Sequence, residues 1–148
     1  MSAGLYVHVP FCLIRCGYCD FNAYAGLDHL APPYVDALRR EADLHADAWK
    51  EERFATVYLG GGTPTLVATD ALAGLLDHLR ATFAVDADAE VTIEANPDTV
   101  DEATFAALLA AGVTRVSMGV QSFDPAVLAS LERVHGPGAG GGGGGGGG

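Results

Sequence analysis

Thr56-Val-Tyr-Leu-Gly-Gly-Gly-Thr-Pro-Thr65 passes from an apolar, strand-like run straight into three glycines. A helical pattern follows, with Leu72, Leu75, Leu76, Leu79 and Phe83 at helical spacing behind Thr69 or Asp70 as N-cap. This is the pattern of one βα unit, and the rest of the chain repeats it. Strand-like runs recur at Leu5–Val9, Glu90–Ala95 and Arg115–Val120. A first helix is expected over about Pro33 to Lys50, where Tyr34, Leu38, Ala42 and Trp49 share a face. A third is expected behind a capping-box pattern of Thr99 and Glu102, with Phe105, Leu108 and Leu109 as its stripe and Gly112 as its stop. Asp124-Pro125 opens a fourth, as a cap followed by an N1 proline. Strands separated by helical runs predict an α/β fold with a parallel sheet.

The distinctive polar and glycine-rich segments each fall just after a strand, where parallel α/β folds gather their ligands. All three cysteines lie after the first strand as Cys12-x3-Cys16-x2-Cys19. Thiolates so crowded cannot all pair with one another, so a metal centre is the natural partner. On a four-iron cluster, three cysteines leave one iron open to a small molecule. The rival readings are inert thiols and a zinc site completed by His8, although mid-strand His8 is expected to be buried and hydrogen-bonded instead. Gly60–Thr65 lacks the Gly-Lys-Ser/Thr of a phosphate loop and the Gly-x-Gly-x-x-Gly of a dinucleotide fold. Three glycines allow close approach of backbone to ligand, where a plain turn needs fewer. Glu94 ends an apolar strand, where a carboxylate needs a partner: ligand hydroxyls such as those of a ribose, a salt bridge or a loop cap. Gln121 and Arg133 carry weaker signals, and Arg133 alone reads as a surface residue.

The chain has 148 residues, 49% of them hydrophobic, enough for one packed domain. Its net charge of −11 and lack of any basic run disfavour a nucleic-acid partner. No cationic leader and no apolar run of transmembrane length is visible, so the expected location is the cytoplasm, which also suits reduced thiols. From Gly136 the sequence becomes Gly-Pro-Gly-Ala and then glycine alone over 140–148, so 1–135 is expected to be the folding part and 136–148 a disordered tail.

In this order and spacing, Leu5-Tyr-Val-His-Val-Pro-Phe-Cys12, Cys16-Gly-Tyr-Cys19-Asp-Phe, Gly60–Thr65, Glu94-Ala-Asn-Pro97 and Arg115–Asp124 resemble the radical S-adenosylmethionine (SAM) superfamily. The resemblance is to the branch of the oxygen-independent coproporphyrinogen III oxidases and HemW-type heme chaperones. It implies an incomplete parallel (β/α) barrel, of which this chain supplies about four units and the family more. It also implies that Cys12, Cys16 and Cys19 bind three irons of a [4Fe-4S] cluster while SAM chelates the fourth. One-electron reduction by a separate electron donor would then cleave SAM to methionine and a 5′-deoxyadenosyl radical. By position, Tyr6 and Tyr18 match residues lining cluster and SAM, Gly62 and Thr63 the glycine-motif contacts, Glu94 a ribose contact, and Gln121 and Arg133 further polar contacts. The oxidases carry another cysteine two residues after the third ligand, where this chain has Phe21. That form looks like the chaperones, implying heme as cargo and a heme-accepting protein as partner; the oxidase alternative would take a porphyrinogen. A chain with four βα units is expected to be part of a longer protein, with its fourth strand an exposed edge that leaves it marginally stable and aggregation-prone alone.

Overall fold

The computed structural model describes residues 2–13, 23–120 and 123–130. The expectations for Cys16, Tyr18, Cys19, Gln121, Arg133 and the glycine tail lie outside the described residues.

Four strands, β1 (Ala3–Val9), β4 (Arg53–Gly61), β5 (Ala84–Ala95) and β6 (Arg115–Met118), form one sheet in the order β1-β4-β5-β6, every pair parallel. Two short strands, β2 (Phe11–Cys12) and β3 (Tyr24–Ala25), pair with each other beyond the end of β1. The helices are α1 (Ala31–His45), α2 (Thr69–Thr82), α3 (Glu102–Ala110) and α4 (Pro125–Ser130). Each crossover steps one strand in the same direction. With right-handed crossovers this puts the intervening helices on one face of the sheet, as in a barrel wall.

Strand periodicity then divides the residues. Leu5, Val7, Val9, Val57, Leu59, Val91 and Ile93 meet Val35, Leu72, Leu75, Leu76, Leu79 and Leu108 of the helices in a single core, with Leu59 and Ile93 fully enclosed. Burying a side chain of this size stabilises the fold by about 1.5–3 kcal/mol. The alternate residues, Tyr6, His8, Thr56, Tyr58, Glu90, Thr92 and Glu94, occupy the opposite, polar face. Cross-strand register aligns Tyr6 with Tyr58 and Thr92 in one row and His8 with Gly60 in the next.

Several boundaries differ from the sequence reading. The predicted helix 33–50 spans Ala31–His45, followed by a short 3-10 turn at Asp47–Trp49, where Trp49 packs edge-on against Phe54. β5 starts six residues before Glu90 because Val85 pairs with Phe54, and an irregularity between Phe54 and Thr56 absorbs the intervening residues. The N-cap of α2 is Ala68 rather than Thr69 or Asp70, although the Asp70 carboxylate accepts from the Ala71 amide. The expected Thr99/Glu102 capping box is absent. Thr99 belongs to a 3-10 turn and donates to the Asn96 carbonyl, while Asp101 caps α3 by accepting from the Thr104 amide at 2.8 Å. Of the expected stripe of α3, Leu108 is buried but Leu109 is exposed. Gly112, with φ of +89°, ends α3 as anticipated, and Asp124 caps α4 through the Ala126 and Val127 amides. β6 lies at one edge of the sheet, as expected of the fourth strand, and β1 at the other.

Candidate functional site

The Gly60–Thr65 turn, Cys12 and Glu94 meet at the carboxyl end of the sheet. The Gly62 amide donates to the Val9 carbonyl at 2.7 Å and the Thr63 amide to the Phe11 carbonyl at 2.6 Å, tying the turn to the chain on either side of Pro10. A Cβ on Gly62 would lie 2.5 Å from the Phe11 oxygen and 3.0 Å from Cys12 Sγ. Glycine is therefore required here for the cysteine to reach the turn. The β2–β3 pair, with the Tyr24 amide donating to the Pro10 carbonyl, holds together the two stems of the cysteine-bearing segment.

Buried Thr63 joins Cys12 to the end of β5. Its hydroxyl accepts from Asn96 Nδ2 at 3.1 Å, which leaves its proton for Cys12 Sγ at 4.0 Å. Farther out, Thr65 and Thr99 share a hydroxyl contact of 2.5 Å; because Thr99 also donates to Asn96 O, Thr65 is the donor.

Glu94 is half-buried and held at both oxygens. The Tyr58 hydroxyl donates to Oε1 at 2.6 Å and the Gly61 amide to Oε2 at 3.1 Å. A Cβ on Gly60 would approach Glu94 Oε2 to 3.1 Å and the Tyr58 ring to 2.7 Å, so the glycine leaves room for both. The bond to Glu94, then burial and the carboxylate's charge, push the Tyr58 phenol up to about 12, with Arg115 acting in the opposite sense. Tyr6 stacks on Tyr58 with ring centroids 6.1 Å apart, and burial followed by the Glu94 charge raises its phenol. The Tyr6 hydroxyl also bonds His8 Nδ1 at 3.1 Å. His8 is hydrogen-bonded as expected but only half-buried, because it projects from the polar face of an edge strand. Engagement of Nδ1 with Tyr6 argues against that nitrogen as a zinc ligand.

Of the sequence-derived candidates, Tyr6, Cys12, Gly62, Thr63 and Glu94 fall within the described residues; the last four lie at this end of the sheet, and Tyr6 stands midway along β1 on the polar face, stacked on Tyr58. Tyr58 and Asn96 carried no assigned role, yet they fix Glu94 and Thr63. A groove of about 450 Å³ runs along the outer edge of β1 against α1, with Leu5, Leu38, Trp49 and Phe83 among its lining, and it shares Tyr6 and His8 with the polar face of the sheet. Its walls are mostly apolar, whereas Thr63, Asn96, Tyr58 and Glu94 form a hydrogen-bonded set at the rim, so the chemistry is assigned to the rim. The residues present fit a thiolate-held cluster with a polar organic ligand: a partly exposed thiol at Cys12, a turn without side chains beside it, and a carboxylate fixed as an acceptor.

Among the described residues no helix is long and apolar enough to cross a membrane. The chain is 52% identical over 138 residues to the heme chaperone HemW of Mycobacterium tuberculosis, covering 91% of this chain and 35% of that protein. It is 44% identical over 135 residues to HemW of Escherichia coli, covering 90% and 35%. The chain thus spans about a third of the length of these curated relatives. Among solved structures it is similar to coproporphyrinogen III oxidase (HemN) from Escherichia coli, described as a radical SAM enzyme, with a TM-score of 0.85 and 35% identity over 90% of this chain and 31% of the other. That likeness carries the fold reading, since the four parallel strands match part of the oxidase's structure. The profile of the Radical SAM superfamily matches residues 6–139, nearly the whole chain, and with its strand order and rim the protein belongs to that superfamily.

Proposed function

We propose that this chain is the cluster- and SAM-binding part of a HemW-like heme chaperone acting in heme biosynthesis or trafficking. The observation that carries the reading is the convergence of the Cys12 thiol, the Gly60–Thr65 turn and the Glu94 carboxylate at one end of the sheet. Cys12, Cys16 and Cys19 hold three irons of a [4Fe-4S] cluster. Tyr6, Tyr18, Gly62, Thr63, Glu94, Gln121 and Arg133 contact SAM. When bound, the two cofactors supply one-electron reductive cleavage chemistry, with the electron from a separate donor. The chain's own work is positional. Thr63 aims its proton at Cys12 Sγ, the glycines admit the ligand's polar groups, and Glu94 accepts from the ribose hydroxyls.

The chaperone reading is supported by 52% identity to a HemW protein and by Phe21 in place of the oxidases' extra cysteine. The structural likeness to the oxidase favours the second reading, decarboxylation of coproporphyrinogen III. Incubating the anaerobically reconstituted protein with that porphyrinogen, SAM and a reductant separates them. Vinyl products assign the oxidase, whereas heme binding without turnover supports the chaperone. Metal analysis tests the foundation: iron with acid-labile sulfide is expected, and stoichiometric zinc without sulfide would replace the cluster by a structural zinc module. Cys16→Ala should lose iron and sulfide, because two thiolates do not replace three. Full retention would assign the ligation elsewhere.

A further inference from the structure

Tyr58 stands on the polar face of β4, two residues before Gly60 and in register with Tyr6, on which its ring stacks at an interplanar angle of 23°. Its hydroxyl and the Gly61 amide each occupy one oxygen of Glu94. A carboxylate offers about four acceptor positions over its two oxygens, so one on each remains for a ligand. Two adjacent acceptors, both fixed, complement two adjacent hydroxyl donors. The direction of the Tyr58 bond follows from the groups themselves, since an ionised carboxylate only accepts and the phenol hydroxyl donates.

We propose that Tyr58 is a positioning residue that aligns the Glu94 carboxylate to receive a vicinal diol, giving the site its preference for a ribose over a deoxyribose. The proposal rests on the reading of Glu94 as a ribose acceptor. A purely structural role would predict something different: losing the Tyr58 hydroxyl would then weaken all ligands alike, or none.

The test uses the full chain, reconstituted anaerobically with iron and sulfide, and calorimetric titration with S-adenosylhomocysteine and its 2′-deoxy analogue. Loss of one hydrogen bond to a charged acceptor is worth about tenfold, so the wild type should prefer the ribose ligand by roughly that factor. Tyr58→Phe keeps the ring and its stack but removes the hydroxyl, and should reduce the preference to about twofold. An unchanged ratio, with or without a general loss of affinity, overturns the role of Tyr58 if Glu94→Ala abolishes the preference. If Glu94→Ala also binds both ligands like the wild type, the ribose reading itself falls and the proposal with it. A check without substitution uses ring-labelled tyrosine: the Tyr58 Cζ resonance should move on adding S-adenosylhomocysteine and move less with the 2′-deoxy analogue. Equal or absent shifts overturn the proposal.

Discussion

Toward α1, α2 and α3 the sheet presents Leu5, Val7, Val57, Leu59, Val91 and Ile93; from the same strands, the opposite face presents Tyr6, His8, Tyr58, Thr92 and Glu94. The first set forms one buried core, while most of the second is half-buried or exposed and linked by hydrogen bonds. Alternation along a strand therefore separates two tasks within single segments. One parity holds the fold together, and the other arranges acceptors and donors at the rim. Substitutions on the first face should change stability, and those on the second should change binding.

The largest effect is expected at Leu59, which is wholly enclosed. Leu59→Ala should cost about 2–5 kcal/mol, read as a lower urea midpoint. A loss below about 1 kcal/mol would contradict its place in a close-packed core. Gly62→Ala probes the junction of core and rim, where a Cβ must displace the Phe11 carbonyl or Cys12 Sγ. A stability cost of about 1–3 kcal/mol is expected, together with reduced iron and sulfide loading. Wild-type loading would show that the cysteine can shift without consequence.

On the polar face, the Tyr58–Glu94 bond should appear as a modest dependence on pH. The folded phenol, at about 12, lies above its ordinary value of 10, so its stabilisation is complete below pH 10 and is lost as pH rises toward 12. Glu94 and Tyr6 face the phenol and raise it, while Arg115 lowers it. Denaturation across that window should show the decline, and Glu94→Gln should flatten it. The smallest effect is expected at Asp101, remote from the rim. Its bonds to the Thr104 hydroxyl and amide hold its carboxyl below the usual range, so this cap works above the ordinary carboxylate value and is lost as pH falls through the lowered one. Asp101→Ala should speed hydrogen exchange at the Thr104 amide and leave exchange at Ile93 unchanged.

Much of this arrangement is legible in the sequence because apolar runs and glycine breaks alternate so regularly. Strand parity follows from period-two spacing, and the rim follows from what stands after each strand. The start of β5 escapes because Asp86-Ala87-Asp88-Ala89 lacks the apolar residues that mark a strand, while the pairing of Val85 with Phe54 is a tertiary fact. The Thr99/Glu102 pattern misleads because Asp101, one residue before the helix, has the shorter reach to the Thr104 amide. Tyr58 and Asn96 were missed for a related reason. Parity places Tyr58 on the polar face, but only cross-strand register brings it to Glu94, and only the fold of the Gly60–Thr65 turn brings Asn96 to Thr63.

The sequential strand order also bears on how such a protein diversifies. Because each crossover advances one place in a single direction, another βα unit can be accreted beyond β6 while every hydrogen bond around Cys12 and Glu94 stays intact. The far side of the sheet is thereby free to be recast while the inherited arrangement of thiol, glycine turn and carboxylate persists.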